Sequence, residues 1–479
     1  MSSVSEPVIP SAAAVADLRR RLVGQVFLPG EPGYSDATAP WDASVSIASP
    51  LAAIAGSAGD IAVCARWAAD HGLDIAVLNT GHGIRDDGHG SLLINTGGLA
   101  GVEVHPATRI ATVQVGARWA DVQAKVTPRG QTGLCGATPG VGVVGYTVGG
   151  GLSPIGRTFG MAADRVRRLT VLDANYDSLE VTAESDPDLF WALCGGGGLG
   201  LVTELEFETV DLPVLFGGGV YFAGVHAHDV LTAYRDWVAT LDDRTSTSIA
   251  LLHLPPSPAL PEFLRGQHVV HLRIAHIDPQ ATSLETAGRS LLAPMLAAAP
   301  ALNDYTRPMT PDQLPDIHRD PVAPMPVTYR GGGRDDLGDD AIAAVVAAAD
   351  PGRELVPGII EIHHLGGAMA HPLGAPNSAT ARRAAFHLWA SILTDPARPE
   401  QYRLLVDGII AQAGARSSES QLSLYGPDAE PGDVLRLWSD TDAARIRAAA
   451  TRLDPDGRIR TGRTLTPVAP ACARKDQLV

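Results

Sequence analysis

Residues 133–151 read GLCGATPGVGVVGYTVGGG, with eight glycines in nineteen positions, and a stretch that dense in glycine is not expected to form a regular helix or strand. Two further glycine-rich stretches lie in the same half of the chain: NTGHGIRDDGHG at 79–90 and GGGGLG at 195–200. Most of the 51 glycines fall before residue 220. One reading is a set of turns. The sharper one is that several loops converge on a single large, phosphate-bearing ligand, because without a Cβ the backbone N–H groups can approach an anion closely. Gly140-Gly142-Gly145 and Gly195-Gly197-Gly200 each match the bare GxGxxG pattern. A dinucleotide fingerprint needs a strand before it and a helix after it. The first match runs on into Tyr146 and a triple glycine, and the second into an alternating strand, so neither reads as a Rossmann site.

Around these loops the pattern is α+β. Ser57 caps a helix that carries Asp60 in its first turn, and the short apolar strand 74–78 follows at once. Strands are expected at 92–95, 102–104, 111–117 and 201–210, a hairpin over 167–183 and a helix from Asp186. Beyond about residue 210 glycine thins and longer elements alternate. Strands are expected at 217–224, 247–253, 267–277, 357–366 and 384–393, and helices at 228–241, 281–299, 338–349 and 398–413. Residues 303–330 read as irregular and proline-rich. That pattern suggests a second domain with an antiparallel sheet.

Composition narrows the function classes. The 37 Lys and Arg against 53 Asp and Glu leave a net charge of −16, which argues against nucleic acid and anionic membranes as partners. Lysine occurs only at 125 and 475, so no basic cluster forms. The four cysteines, at 64, 135, 194 and 472, are widely spaced without a CxxC pair, which excludes a disulfide scaffold and speaks against structural zinc. His82, Asp86, Asp87 and His89 share one loop, which reads as solvated rather than as a metal site; no metal is expected. No apolar run reaches membrane length and the first residues lack the pattern of a secretory signal, so a cytoplasmic location is expected.

Four segments then carry a resemblance: Thr80-Gly81-His82-Gly83, Leu92–Asn95, Val141–Gly151, and Asp186–Gly198 with its four glycines. Their order and spacing over residues 45–210 resemble the FAD-linked oxidases of the vanillyl-alcohol-oxidase superfamily, with PCMH-type FAD binding, in the bacterial berberine-bridge-enzyme-like branch. GIIEIHHLGGAM (358–369) resembles that family's substrate-domain strand, and 453–462 its terminal return segment. The resemblance implies a two-domain α+β fold. The FAD-binding domain would be 1–210 with a return at 425–479, and the antiparallel-sheet substrate domain 211–424.

By the same resemblance His82 is where the flavin is attached covalently. Cofactor contacts are expected from Asn79, Thr80, Gly81, Gly83, Thr138, Pro139, Gly142, Gly145, Gly149, Gly150, Gly198 and Val202. Some members form a second link through a cysteine eleven residues before the triple glycine. Thr138 stands there and Cys135 lies three residues earlier, so a single link is expected. Cys194 stands where the family has Arg before the four glycines, and Leu199-Gly200 where Asn-Phe-Gly is common. Alternation puts Glu361 and His363 on one strand face, where they would bind substrate or take its proton; the competing reading pairs Glu361 with His271 or Arg273. Tyr146 is a further catalytic candidate, and Tyr329 and His253 are weaker ones. The family's Tyr-x-Asn is replaced by Leu422 and Leu424, with Tyr425 off the position.

The expected function is oxidation of a small organic substrate with O₂ as acceptor, by a monomer or homodimer. The Arg-rich, Ala-rich composition suggests a GC-rich bacterial genome and, by analogy, a tailoring step in secondary metabolism such as antibiotic biosynthesis. The alternatives are a sugar or oligosaccharide oxidase, which the 5% aromatic content disfavours, and a flavin- and drug-binding resistance protein with little turnover, which the lost Tyr-x-Asn favours.

Overall fold

The computed structural model describes residues 10–84, 87–105, 107–350, 357–426 and 431–460. Asp86, Cys472 and Lys475 lie outside them. Two five-stranded sheets are built mainly from the first 210 residues, and an eight-stranded antiparallel sheet lies within residues 215–393.

In the first sheet, Leu51–Ile54, Ser91–Asn95, Asp74–Leu78 and Ile459–Arg460 run parallel in that order, and Gln25–Phe27 pairs antiparallel at one edge. The central strands are largely buried, which is why they read as short continuous apolar runs. The crossover helix Ala58–Asp70 starts where Ser57 Oγ accepts from the Asp60 N–H, 3.2 Å away. Asp60 in turn accepts N–H groups of Val23, Gly24 and Gly56. Burial opposes its ionised form, but these donors together with Ser57 outweigh it and hold its pKa below the usual value. One carboxylate thus ties the helix start to two loops.

The second sheet is antiparallel, in the order Val102–His105, Ile110–Gln114, Val202–Glu208, Val166–Leu172, Ser178–Val181. The large sheet carries helices on one face. Ala227–Val238, Leu284–Ala298, Asp339–Ala348 and Pro399–Gln412 pack there over a core that includes Ile249, Leu251, Leu272, Ile360 and Ile362. Its opposite face, carrying Ser248, Arg273, Glu361 and His363, turns toward the glycine-rich loops of the other two sheets.

Two local expectations are corrected. The glycine-dense stretch is not irregular throughout: Val143–Val148 forms a short helix between Gly142 and Gly149, held by the buried side chains of Val143, Val144, Thr147 and Val148. Residues 303–330 are not a structureless connection. They hold strands Ala301–Asp304 and Arg307–Met309, helix Pro315–His318 and the start of strand Val327–Arg334. Pro311 and Pro315 open the short helical turns there, and Val327–Arg334 is an edge strand.

Candidate active site

A cavity of about 1090 Å³ lies between the glycine-rich loops and the polar face of the large sheet. That exceeds what one small ligand fills, and leaves room for a cofactor and a substrate together. Three segments make its floor: 79–84 after strand Asp74–Leu78, stretches of 136–149, and 197–202. Two glycines show why the loops need that residue. Gly81 has φ +74°, and a Cβ there would come within 2.5 Å of Pro40 Cβ. A Cβ on Gly142 would lie 2.5 Å from Asn79 Nδ2, where two loops touch.

His82 sits on the first of these loops. Its Nδ1 lies 2.9 Å from Thr80 Oγ1, and its Nε2 is buried with no hydrogen-bond partner among the described residues. The ring stacks on Trp41 at 4.5 Å between centroids, with 13° between the planes. Burial, and then Arg118, push its pKa down to about 4, so the imidazole is neutral at pH 7. Trp41 is fixed from both sides. Its main-chain N–H donates to Thr80 O, and its indole N–H donates to the O of Val322, which lies between the lining residues Pro321 and Ala323. Nothing in the sequence marked Trp41, because both of these contacts are set by tertiary structure.

Opposite, a buried charge cluster sits on the sheet. Arg273 Nη1 lies 2.5 Å from Glu361 Oε1, although the two strands are separated by Thr245–His253. The register explains the reach: Ser248 pairs with Arg273 and Ala250 with Glu361, so only small side chains stand between the charges. Ser248 donates to Glu361 at 2.6 Å. His318 Nε2 and His363 Nε2 lie 3.5 and 3.6 Å from the same carboxylate. Burial opposes ionisation of Glu361, but Arg273, His363 and His318 hold its pKa well below the usual carboxylate range. His363 is shifted down by burial, although Glu361 pulls it up. Tyr146 caps the floor from helix Val143–Val148, edge-on to Trp119 at 5.5 Å. Its phenol is buried without a partner among the described residues, and burial raises its pKa well above 10.

The cavity brings together most of the residues singled out above. Asn79, Thr80, Gly81, His82 and Gly83 line it, as do Thr138, Gly142, Gly145, Tyr146, Gly149, Gly198 and Val202 from the floor and Glu361 and His363 from the sheet. Tyr329 and His253 also line it. Two residues fall outside the lining. Pro139 turns its carbonyl toward the N–H of Ala120, and Gly150, at φ +105°, bonds back to Thr147 and Ala163. Cys135 is also outside: its thiol accepts from Gln123 Nε2 at 3.3 Å, and burial raises its pKa to about 12. At the position of the missing Tyr-x-Asn, a single turn, Leu422–Leu424, puts Leu424 in the lining and lets Gln421 donate to Gly149 O at 2.6 Å. Arg273, His318 and Asp320 are lining residues the sequence did not assign; Arg273 was named only as a structural partner.

Residues 50–181 match the family model of the FAD binding domain. FAD-dependent monooxygenase FUP4 of Fusarium proliferatum is 33% identical over 165 residues, 34% of this chain and 32% of that protein. (R)-6-hydroxynicotine oxidase of Paenarthrobacter nicotinovorans is 29% identical over 195 residues, 40% of this chain and 42% of that one. The chain thus spans about a third to a half of the length of the curated relatives it matches. Solved structures match over nearly the whole chain. Glucooligosaccharide oxidase of Acremonium strictum, described with a 6-S-cysteinyl, 8α-N1-histidyl FAD, has a TM-score of 0.79 at 19% identity, covering 96% of this chain and 100% of its own. The 6-hydroxy-D-nicotine oxidase of Arthrobacter nicotinovorans also has a TM-score of 0.79, at 20% identity, over 94% of this chain and 98% of its own. Residues 50–181 thus match an FAD binding domain, and the chain as a whole shares the α+β fold of solved FAD-linked oxidases.

Proposed function

We propose that this protein is an FAD-linked oxidase that removes a hydride and a proton from a small organic substrate, with FAD attached covalently through one ring nitrogen of His82. The observation that carries the reading is the pairing across one cavity of a neutral His82 with an unpartnered ring nitrogen and the Glu361–His363 pair on the sheet. The floor fits FAD on its own chemistry. The polar atoms His82 Nε2, Asn79 Oδ1 and Tyr146 Oη are buried without partners among the described residues, and the loops beside them are stripped of side chains. Asn79, Thr80, Gly81, Gly83, Thr138, Gly142, Gly145, Gly149, Gly198 and Val202 would hold it, with the domains divided as 1–210 plus 425–479 and 211–424. When bound, FAD would supply the hydride acceptor, with O₂ as the expected final electron acceptor.

The chain's own groups divide the remaining work. Glu361 is locked as a carboxylate by Arg273 and Ser248, so its role is to hold charge rather than to accept a proton. Tyr146 keeps its phenol proton at neutral pH and serves as a hydrogen-bond donor. His363 is neutral, lines the cavity, and has a carboxylate 3.6 Å away to stabilise its protonated form; it accepts the substrate's proton. The Cys135 thiol faces Gln123 outside the cavity, which supports a single link to the cofactor. A tailoring step in secondary metabolism remains part of this reading, by analogy.

The test is acid precipitation of the purified protein. Wild type is expected to keep its yellow colour in the pellet, and His82→Ala to release FAD to the supernatant with an unchanged melting temperature. Wild-type flavin found only in the supernatant removes the covalent link from the reading. Protein that takes up no FAD at all removes the cofactor.

A further inference from the structure

The two ends of the cavity differ in chemistry. The inner end carries the buried ionic cluster, with Arg273 2% and Glu361 3% exposed. The outer end is walled by the connection between strands Thr245–His253 and His268–His276. Leu252, Leu254 and Leu260 face the cavity there, half-buried, with Ile359 beside Leu252 on the neighbouring strand and Met325 also in the lining. From Leu252 to Pro261 the wall carries no carboxylate, Lys or Arg. Its one titratable group, His253, is shifted down by burial and is therefore neutral at pH 7.

This wall is preformed. Pro255, Pro256, Pro258 and Pro261 restrict its backbone. Its ends are closed by Leu254 N–H to Gln267 O at 3.0 Å and Gly266 N–H to Pro255 O at 3.1 Å. Leu252, Leu254, Leu260 and Phe263 pack with Tyr221 and Leu264 as a small apolar cluster of their own.

An oligosaccharide presents hydroxyls along its whole length, and each hydroxyl set against an aliphatic wall loses its water without replacement. Here the charged hydrogen-bonding groups Arg273 and Glu361 stand at the inner end, away from the leucine wall. We infer that the substrate is amphipathic: one hydrogen-bonding group reaches His363, and a hydrocarbon portion lies against Leu252, Leu254 and Leu260. This rests on the cavity being the site of the oxidation proposed above, and it names the substrate class for that site.

The probes are the straight-chain alcohols from butan-1-ol to octan-1-ol, with cellobiose as the hydroxyl-rich counterpart. Each is titrated into the protein as purified. Binding is read by tryptophan fluorescence, since Trp41 and Trp389 line the cavity, and by the visible spectrum. Affinity is expected to rise about fourfold per added methylene, while cellobiose gives no saturable signal. Leu260→Asn, at a half-buried position whose fold is checked by its melting temperature, is expected to flatten the gradient. A flat wild-type gradient, a gradient unchanged in Leu260→Asn, or cellobiose binding tighter than hexan-1-ol overturns the inference. Protein without flavin that still shows the gradient would overturn the oxidase reading and leave the amphipathic site standing; a flavin-bearing protein with a flat gradient would do the reverse.

Discussion

His363→Gln is expected to slow anaerobic bleaching of the flavin by substrate about 10²–10⁴-fold, the usual worth of a positioned proton acceptor, while leaving the flavin content unchanged. Gln keeps much of the size and the hydrogen-bonding ends of the imidazole but cannot take up a proton. The pH profile separates this from a packing defect. Around His363, burial lowers its pKa most, Glu361 and Asp320 raise it, and His318 and Arg273 lower it. The net shift is downward, so the ring is neutral at pH 7 and becomes protonated only below about pH 6.5. The wild-type rate should therefore fall on an acid limb below that value, and the limb should vanish in His363→Gln. Glu361→Gln removes the largest raising contribution, so its limb should move to lower pH while the plateau rate also falls. Stopped-flow bleaching between pH 5 and 8 measures both. A His363→Gln rate within about threefold of wild type would return the proton to another group, with Tyr329 and His253 next in line because both face the cavity.

The chain shows in its sequence what local rules govern and conceals what register and long-range packing govern. The Ser57 cap, the apolar runs at 74–78 and 92–95 and the long alternating strands each depend on neighbours within a few residues, and they stand within a residue or two of where local patterning puts them. The helix Val143–Val148 was hidden because glycine and β-branched residues are poor helix formers, and tertiary burial overrides that preference. Strand Val327–Arg334 was hidden by three consecutive glycines, which the fold uses: a Cβ on Gly331 would meet Leu424 O at 2.5 Å. At the site, the motif around His82 was legible through its family resemblance. Its partner Trp41 was not, because the stack joins residues far apart in sequence. Alternation placed Glu361 and His363 on one face of their strand. The competing sequence reading names Arg273 or His271 as the partner of Glu361, but which of them reaches it, over Ser248 and Ala250, depends on strand order and register.

That ion pair sets the largest expected effect on stability. Arg273→Met is expected to lower the unfolding free energy by about 3–5 kcal/mol at pH 7, the cost of stranding one charge of a buried pair. The thermodynamic sign also changes. In wild type the Glu361 pKa is lower in the folded than in the unfolded chain, so the pair contributes stability above the unfolded carboxyl pKa of about 4.3. That contribution is lost as pH falls below 4.3 toward the folded value. In Arg273→Met, burial is the dominant influence and pushes the carboxyl up, so the folded state prefers the protonated acid. Stability should then be lost as pH rises above the unfolded carboxyl pKa of about 4.3 toward the raised folded value, the opposite slope to that which the wild-type pair gives at acid pH. Arg273→Met/Glu361→Met removes both charges and should regain most of the loss, because an apolar pair of similar volume leaves no group stranded. Denaturant melts of the three proteins across that pH range measure the slope and the recovery together. A single variant that loses less than about 1 kcal/mol, with the wild-type slope kept, would mean that His318 or Ser248 alone sustains the carboxylate. Glu361 could then hold its charge for His363 without Arg273, and the role assigned here to the pair would belong to the smaller cluster.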